Sequence, residues 1–445
     1  MKMTMLAILG FSMVAVFMYL IMSGKLSALI ALMIVPAVFA LIAGFGSGLG
    51  EMALAGITDL APTGVMLMFA ILYFGIMIDA GLFDPVVGKI LKAVKGDPMK
   101  IVVGTAVLAM IVSLDGDGTT TYMITISAML PLYQRLKMNP LILPAVALMA
   151  CGVTNLTPWG GPTARAASAL TLDMQDLFNP LIPVMAAGAI WVIAAAYWMG
   201  KKERNRLGVL SIEELNQPAE GKSYLTFFGS AAVSEEDAKW KRPKLLWVNF
   251  ALTVTLMVLL IIGIMPLPIL FMLAFAIALT INYPNVAHQK ERIASHAGNV
   301  LAVVSLVFAA GVFTGILSGT EMVDAMANSL VAIIPDSMGS HLPVITAITS
   351  MPLTFFMSND AYYYGVLPII AEAASTYGIS AAEIGRASLL GQPVHLLSPL
   401  VASTYLLVGM AKVDFGQYQR FTILWTVGTT VVMTIAAILF GVISF

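Results

Sequence analysis

Two short polar stretches, Ser113-Leu114-Asp115-Gly116-Asp117-Gly118-Thr119 and Ser358-Asn359-Asp360-Ala361-Tyr362, interrupt a chain that otherwise reads as apolar. One lies near the middle of each half. An ionisable side chain at membrane depth costs roughly 2.5 kcal/mol or more, so it marks a functional site by default. One such segment per half points to a duplicated architecture around a shared polar centre, the pattern of a secondary transporter.

Composition supports that reading. The chain is 59% hydrophobic and 11% charged, with mean hydropathy +0.93, against roughly 25% charged residues in a soluble protein. A net charge of −1 gives no basic field for nucleic acid. The 445 residues leave room for about ten spans at roughly 20 residues each. The expected class is an all-α polytopic membrane protein in contact with lipid. The single Cys151 excludes an intramolecular disulfide and reads as packing. The first apolar run reads as a retained helix rather than a signal peptide, because further spans follow and no Ala-x-Ala-like site does.

Spans are expected at 6–21, 26–43, 64–80, 141–170, 181–199, 246–262, 267–283, 300–317, 385–410 and 421–443. Two further apolar stretches, 101–136 and 343–373, are too long for one crossing of a hydrocarbon core about 30 Å thick. Their centres carry Asp115 and Asp117, or Asn359 and Asp360. A re-entrant hairpin of two half-helices meeting at a polar tip suits both facts, provided protein or a watery cavity covers the tip.

Cationic residues fix the orientation. Of 23 Lys+Arg, all but Lys2, Arg165 and Arg386 fall on one side of this span set. The opposite loops carry Glu51, Asp59, Asp173, Asp176, Glu321, Asp324 and Asp336. The Lys/Arg side is therefore expected in the cytoplasm. Both halves then have the same order: three spans, a hairpin, an interrupted span and a last span. Five crossings per half is an odd number, so the second half is inverted relative to the first. The expected division is 1–200 as first repeat, with hairpin 101–136 entering from the cytoplasm and interrupted helix 141–170. Residues 201–244 read as a cytoplasmic linker. Residues 245–445 form the second repeat, with hairpin 343–373 entering from outside and interrupted helix 385–410.

Each hairpin is followed by a span with its own break: Thr154-Asn155-Leu156-Thr157-Pro158-Trp159-Gly160-Gly161-Pro162-Thr163-Ala164-Arg165, and Gly391-Gln392-Pro393-Val394-His395-Leu396-Leu397-Ser398-Pro399. Pro and Gly remove backbone hydrogen bonds and leave carbonyls and amides free to bind solute. Helix N-termini at such breaks favour carboxylates, and exposed carbonyls favour cations. Two breaks in matching order, each after a polar hairpin, read as a binding site rather than packing kinks.

Other signals fail. Asp115-Gly-Asp117-Gly118 starts like a calcium loop, but Ile126 stands where the bidentate Glu belongs. Gly44, Gly46, Gly48 and Gly50 form an expected external turn with no preceding strand. Gly221-Lys222-Ser223 ends like a phosphate loop, yet Asn216 replaces the first Gly, so no ATP-driven pump is indicated. His288, His296 and His341 are expected to be solvated at loops or span ends, whereas His395 sits inside a break.

At these hairpins and breaks the sequence resembles the citrate–metal:proton symporters (CitMHS), a branch of the ion-transporter superfamily. The matching segments are SLDGDGTTTYMITISAMLPLY, TNLTPWGGPTARA, SNDAYYYGVLPI and GQPVHLLSPL, and the likeness runs over nearly the whole chain. The resemblance implies a bacterial inner-membrane homodimer with scaffold and transport domains. It also implies elevator-type movement and proton-coupled uptake of citrate complexed with a divalent cation such as magnesium or calcium. The metal would be part of the substrate, with no resident cofactor.

The residues make independent sense of that substrate. Citrate alone is trianionic near neutral pH, and a site with Asp115, Asp117 and Asp360 would repel it. A metal complex carries less negative charge and offers a hard cation to these three carboxylates, the candidate metal ligands. Ser113, Thr119, Thr120, Thr121, Asn155, Thr157, Thr163, Ser358, Asn359, Gln392 and Ser398 are candidate hydrogen-bonding groups, with Gly160 and Gly161 opening the backbone. Arg165 is a candidate bidentate partner for a substrate carboxylate, the alternative being a structural ion pair with an acidic neighbour. Asp115, Asp360 and His395 are the candidates to carry the coupling proton.

Two rival readings stay open. Sodium–proton exchange, or uptake of another organic anion, would suit the same fold. An intramembrane aspartyl protease using Asp115 and Asp360 is disfavoured, because both tips lack a Gly-x-Gly-Asp arrangement and inverted symmetry has no role in proteolysis. An enzyme is not expected.

Overall fold

The computed structural model describes residues 2–94, 96–208, 239–332 and 335–445. Among them there are helices and turns but no strand. The reason is the one that governs lipid-facing chains: only a helix satisfies every backbone N–H and C=O within its own segment. The first half runs α1 (Lys2–Met22), α2 (Ala28–Ile42), α3 (Leu49–Asp79), α4 (Asp84–Val94), α5 (Pro98–Val112), α6 (Gly118–Arg135), α7 (Ile142–Thr154), α8 (Gly161–Leu170) and α9 (Met174–Leu207). The second half runs α10 (Leu246–Ile262), α11 (Leu267–Asn282), α12 (Val286–Gly319), α13 (Met322–Val331), α14 (Leu342–Phe356), α15 (Leu367–Ser375), α16 (Ala381–Leu389), α17 (Ala402–Ala411) and α18 (Phe415–Leu439). The second half also contains two four-residue helices, Asp336–Gly339 and Gln392–His395, and a π-helical turn, Ala361–Val366.

Among the described residues, seven helices are long and apolar enough to cross a membrane, and five shorter apolar ones accompany them. By length alone Pro98–Asp115 is one of the seven. The chain nevertheless breaks at Gly116, and α5 and α6 pack against each other. In the second half α14 and α15 both pack on α16. With 15 residues each, α5 and α14 rise only about 22 Å, less than the hydrocarbon thickness.

Several boundaries differ from expectation. The span at 64–80 is part of a longer helix, α3, that starts at Leu49 and absorbs most of the supposed outer loop. Its early turns are held by a close crossing with α12. A Cβ on Gly56 would overlap the Gly311 carbonyl and lie 2.8 Å from Gly315 Cα, so glycines let the backbones touch. Small residues serve this purpose where lipid offers no hydrophobic drive for helix association. The span at 300–317 likewise extends back to Val286, where Asn285 caps α12 by accepting the Ala287 N–H at 2.8 Å. The last span of the first half extends to 174–207, and 385–410 breaks twice rather than once. The short helices α4 and α13 were not anticipated. Residues 209–238, which include the phosphate-loop-like triplet and most of the linker, lie outside the described residues.

The early part of α12 brings His296 to a buried charge cluster rather than to solvent. Its Nε2 lies 2.9 Å from Asp79 Oδ2, which also receives Arg292 Nη1 at 3.2 Å. Arg292 in turn stacks 3.7 Å from the centroid of Trp240, and His288, exposed as expected, meets the same indole edge-on. His341 packs its ring on Phe445.

Candidate functional site

The first tip is built by local capping. α5 ends in a single 3-10 turn, Ser113–Asp115, and Gly116 takes φ 81. That conformation favours glycine, and a Cβ there would also lie 2.6 Å from Trp159 Cδ1. Asp115 Oδ1 accepts the Asp117 N–H at 2.9 Å. Asp117 caps α6, accepting the N–H groups of Thr119 and Thr120 at 3.1 and 2.9 Å and the Thr120 hydroxyl at 2.7 Å. The Thr121 hydroxyl turns back onto the Asp117 carbonyl. Both tip aspartates therefore hold the turn, a role that short polar side chains at a helix start commonly play.

The second tip is arranged differently. Ser358 Oγ accepts the Ala361 N–H at 3.1 Å, and a π-helical turn, Ala361–Val366, follows. Such turns are frequent at functional sites. Asp360 projects onto Arg165 of α8, whose Nε reaches Asp360 Oδ1 at 2.6 Å. The adjacent Tyr364 hydroxyl lies 3.0 Å from that of Ser168, also on α8. Asn359 and Gln392 exchange amide contacts at 3.2 and 3.4 Å, and Gln392 Nε2 donates to the Tyr363 hydroxyl at 2.9 Å.

The breaks also differ from each other. In the first, Thr154 donates to Ser113 Oγ at 2.6 Å, which ties the break to the first tip. Thr163 donates to the Leu156 carbonyl at 3.1 Å, and Arg165 Nη1 to that of Gly161 at 3.1 Å. Gly160 admits no side chain, since a Cβ would overlap the Asn155 carbonyl. The side-chain oxygens of Asn155 and Thr157 are buried and find no hydrogen-bond partner among the described residues. Buried polar atoms are nearly always satisfied, so two orphans in one break point to a ligand or water.

The second break satisfies itself. Ser398 donates to the Phe355 carbonyl at 2.6 Å, Thr404 to that of Leu396, and Gln419 Nε2 to that of Leu397 at 3.0 Å. His395 Nδ1 lies 2.6 Å from the Thr354 carbonyl. A carbonyl only accepts, so Nδ1 carries the proton and Nε2 is the free nitrogen. The carbonyls expected to be open to solute at this break are therefore bonded within the protein.

The two halves interlock at this centre. The π-helical turn and α15 pack on α8, while α6 packs on α17. A Cβ on Gly152 of α7 would lie 2.8 Å from Pro393 Cα, so the helix leading into the first break touches the second break directly. The three aspartates do not gather into one metal-binding cluster: among the described residues no group of three or more His, Cys, Asp or Glu is placed to hold an ion. Asp360 faces Arg165, and Asp115 and Asp117 face their own backbone. Trp159, Ser168, Tyr363 and Tyr364 belong to the network without having been singled out in the sequence. The run of three tyrosines that follows Ser-Asn-Asp-Ala is the signal that marks two of them.

The chain resembles proteins whose role is known. A solved structure, the YdaH transporter of Alcanivorax borkumensis, matches with a TM-score of 0.61 at 14% identity, covering 91% of this chain and 89% of that one. That likeness shows the fold alone. A Bacillus subtilis (strain 168) protein named citrate transporter is 68% identical over 441 residues, covering 99% of this chain and 100% of the relative. A second protein of that organism, named Mg(2+)/citrate complex secondary transporter, is 58% identical and covers 99% of each chain. The model of the CitMHS family, described as citrate transporter, matches residues 13–391. With seven long apolar helices among its described residues, the chain is a multi-pass membrane transporter and not an enzyme. It belongs to the CitMHS family of citrate transporters.

Proposed function

We propose that the protein takes up citrate complexed with a divalent cation, in symport with protons, across the bacterial inner membrane. The names of two close relatives, citrate transporter and Mg(2+)/citrate complex secondary transporter, support the substrate. In the structure the carrying observation is the contact between Arg165 of the first break and Asp360 of the second tip, at 2.6 Å. A guanidinium beside a carboxylate supports a site for a complex that carries both a carboxylate and a cation. The orphan oxygens of Asn155 and Thr157 lie in the same break and offer further hard contacts.

On this reading residues 1–200 and 245–445 are inverted repeats, and the tips with their broken helices move as an elevator against α3 and α12 in a homodimer. Asp115, Asp360 and the free Nε2 of His395 are the groups proposed to carry the coupling proton. The test is citrate uptake into proteoliposomes, with and without divalent metal, at two external pH values. Metal-dependent uptake accelerated by an inward proton gradient is the expected result. Sodium exchange without citrate uptake would replace this reading.

A further inference from the structure

We infer that the Arg165–Asp360 pair is what makes the transporter select a metal–carboxylate complex over either component alone. This rests on the citrate–metal reading above and names the residues that enforce it. The pair joins the two halves at the polar centre, and its side chains keep 25% and 18% of their surface accessible. The pair is therefore not wholly sealed inside the protein. Arg165 uses Nε for Asp360 and Nη1 for the Gly161 carbonyl, while Asp360 uses Oδ1. Among the described residues no hydrogen bond engages Arg165 Nη2 or Asp360 Oδ2. Those two atoms are the landing points.

The selection follows from charge pairing. A bare carboxylate that takes Arg165 leaves Asp360 as an unpaired anion at membrane depth. A bare divalent cation that takes Asp360 leaves Arg165 as an unpaired cation. Breaking a buried pair by withdrawing one partner is costly, because the remaining charge has lost its compensation. A metal–carboxylate complex withdraws neither: its carboxylate meets the guanidinium while its metal meets Asp360, and every charge stays paired. Asp117 is less suited to receive the cargo ion, since both of its oxygens already cap the first tip, whereas Asp115 commits only Oδ1 to the turn.

The test uses the full-length protein in proteoliposomes and labelled citrate, and compares uptake in excess Mg²⁺ with uptake in EDTA. The wild type should show a large ratio of the two rates. Asp360→Asn frees Arg165 for bare citrate, so that ratio should fall at least tenfold; Asp360→Ser makes the same test if the Asn variant does not fold. Arg165→Gln supplies an independent arm that needs no transport. It should be stabilised thermally by Mg²⁺ alone, without citrate, to an extent the wild type is not. An unchanged ratio in the Asp360 variants, or no gain in Mg²⁺ stabilisation in Arg165→Gln, overturns the selection mechanism while leaving citrate transport standing. A wild type that transports citrate in neither condition removes the citrate reading itself, and the inference with it.

Discussion

Trp159 donates its indole N–H to the Leu114 carbonyl at 2.9 Å, joining the first broken helix to the first hairpin tip. The same ring packs between Phe74 of α3 and Phe271 of α11, with centroids 4.9 and 5.3 Å away. One side chain thus links the polar centre to α3 and α11. Trp159→Phe keeps most of the packing and loses the hydrogen bond, a cost of about 1 kcal/mol. Trp159→Ala loses both, about 3–5 kcal/mol. Thermal unfolding in detergent should rank wild type above Phe above Ala, and equal midpoints for all three would remove Trp159 as a brace.

The orphan oxygens of the first break separate stability from function. Thr157→Val deletes a buried hydroxyl that has no partner among the described residues, so stability should hold or rise. If that hydroxyl serves substrate, uptake should fall about tenfold, the equivalent of one hydrogen bond to a charged group. Normal uptake by a stable Thr157→Val protein would assign the orphan to an ordered water instead.

Gly56 tests the crossing of α3 and α12. A Cβ at this position meets the Gly311 carbonyl and Gly315, both backbone, so neither can swing aside. Gly56→Ala should cost about 1–3 kcal/mol through overpacking. Gly298→Ala, a change on α12 with open space around it, should be neutral or mildly stabilising. The two variants compared by thermal unfolding decide whether the crossing is rigid.

Orientation can be read directly. In a Cys151→Ala background, Asp173→Cys should label with an impermeant maleimide from outside intact cells, and Lys290→Cys only after lysis. Both positions are exposed, so access and not burial decides the outcome. The reverse pattern would invert every span, since all directions follow from the charge partition.

Much of the architecture was legible because it is written locally. A stretch such as 101–136 announces its own break, because charge and glycine at its centre cannot sit in the middle of one membrane helix. The helix interruptions at Gly116, after Thr154 and after Leu389, and the π-helical turn after Asp360, fall where the polar residues do. The early turns of α3 were missed for the opposite reason. Glu51, Asp59 and Pro62 look like loop residues, and the close packing of this stretch on α12, with Gly56 against Gly311 and Gly315, is a tertiary contact that local sequence does not announce. His296 was likewise misjudged, because its partner Asp79 stands 217 positions away.

The polar centre shows the same division. Its residue types were evident from the sequence, since polar side chains in an apolar chain need a reason to be there. Their partners were not. Asp117 spends both oxygens and Asp115 one on their own turn, while Asp360 reaches across 195 positions to Arg165. Composition and periodicity act over a few residues and so determine class, breaks and charge partition. Which carboxylate meets the one guanidinium at the centre is set by how α8 packs against the second tip, and that contact exists only once the two halves have folded together.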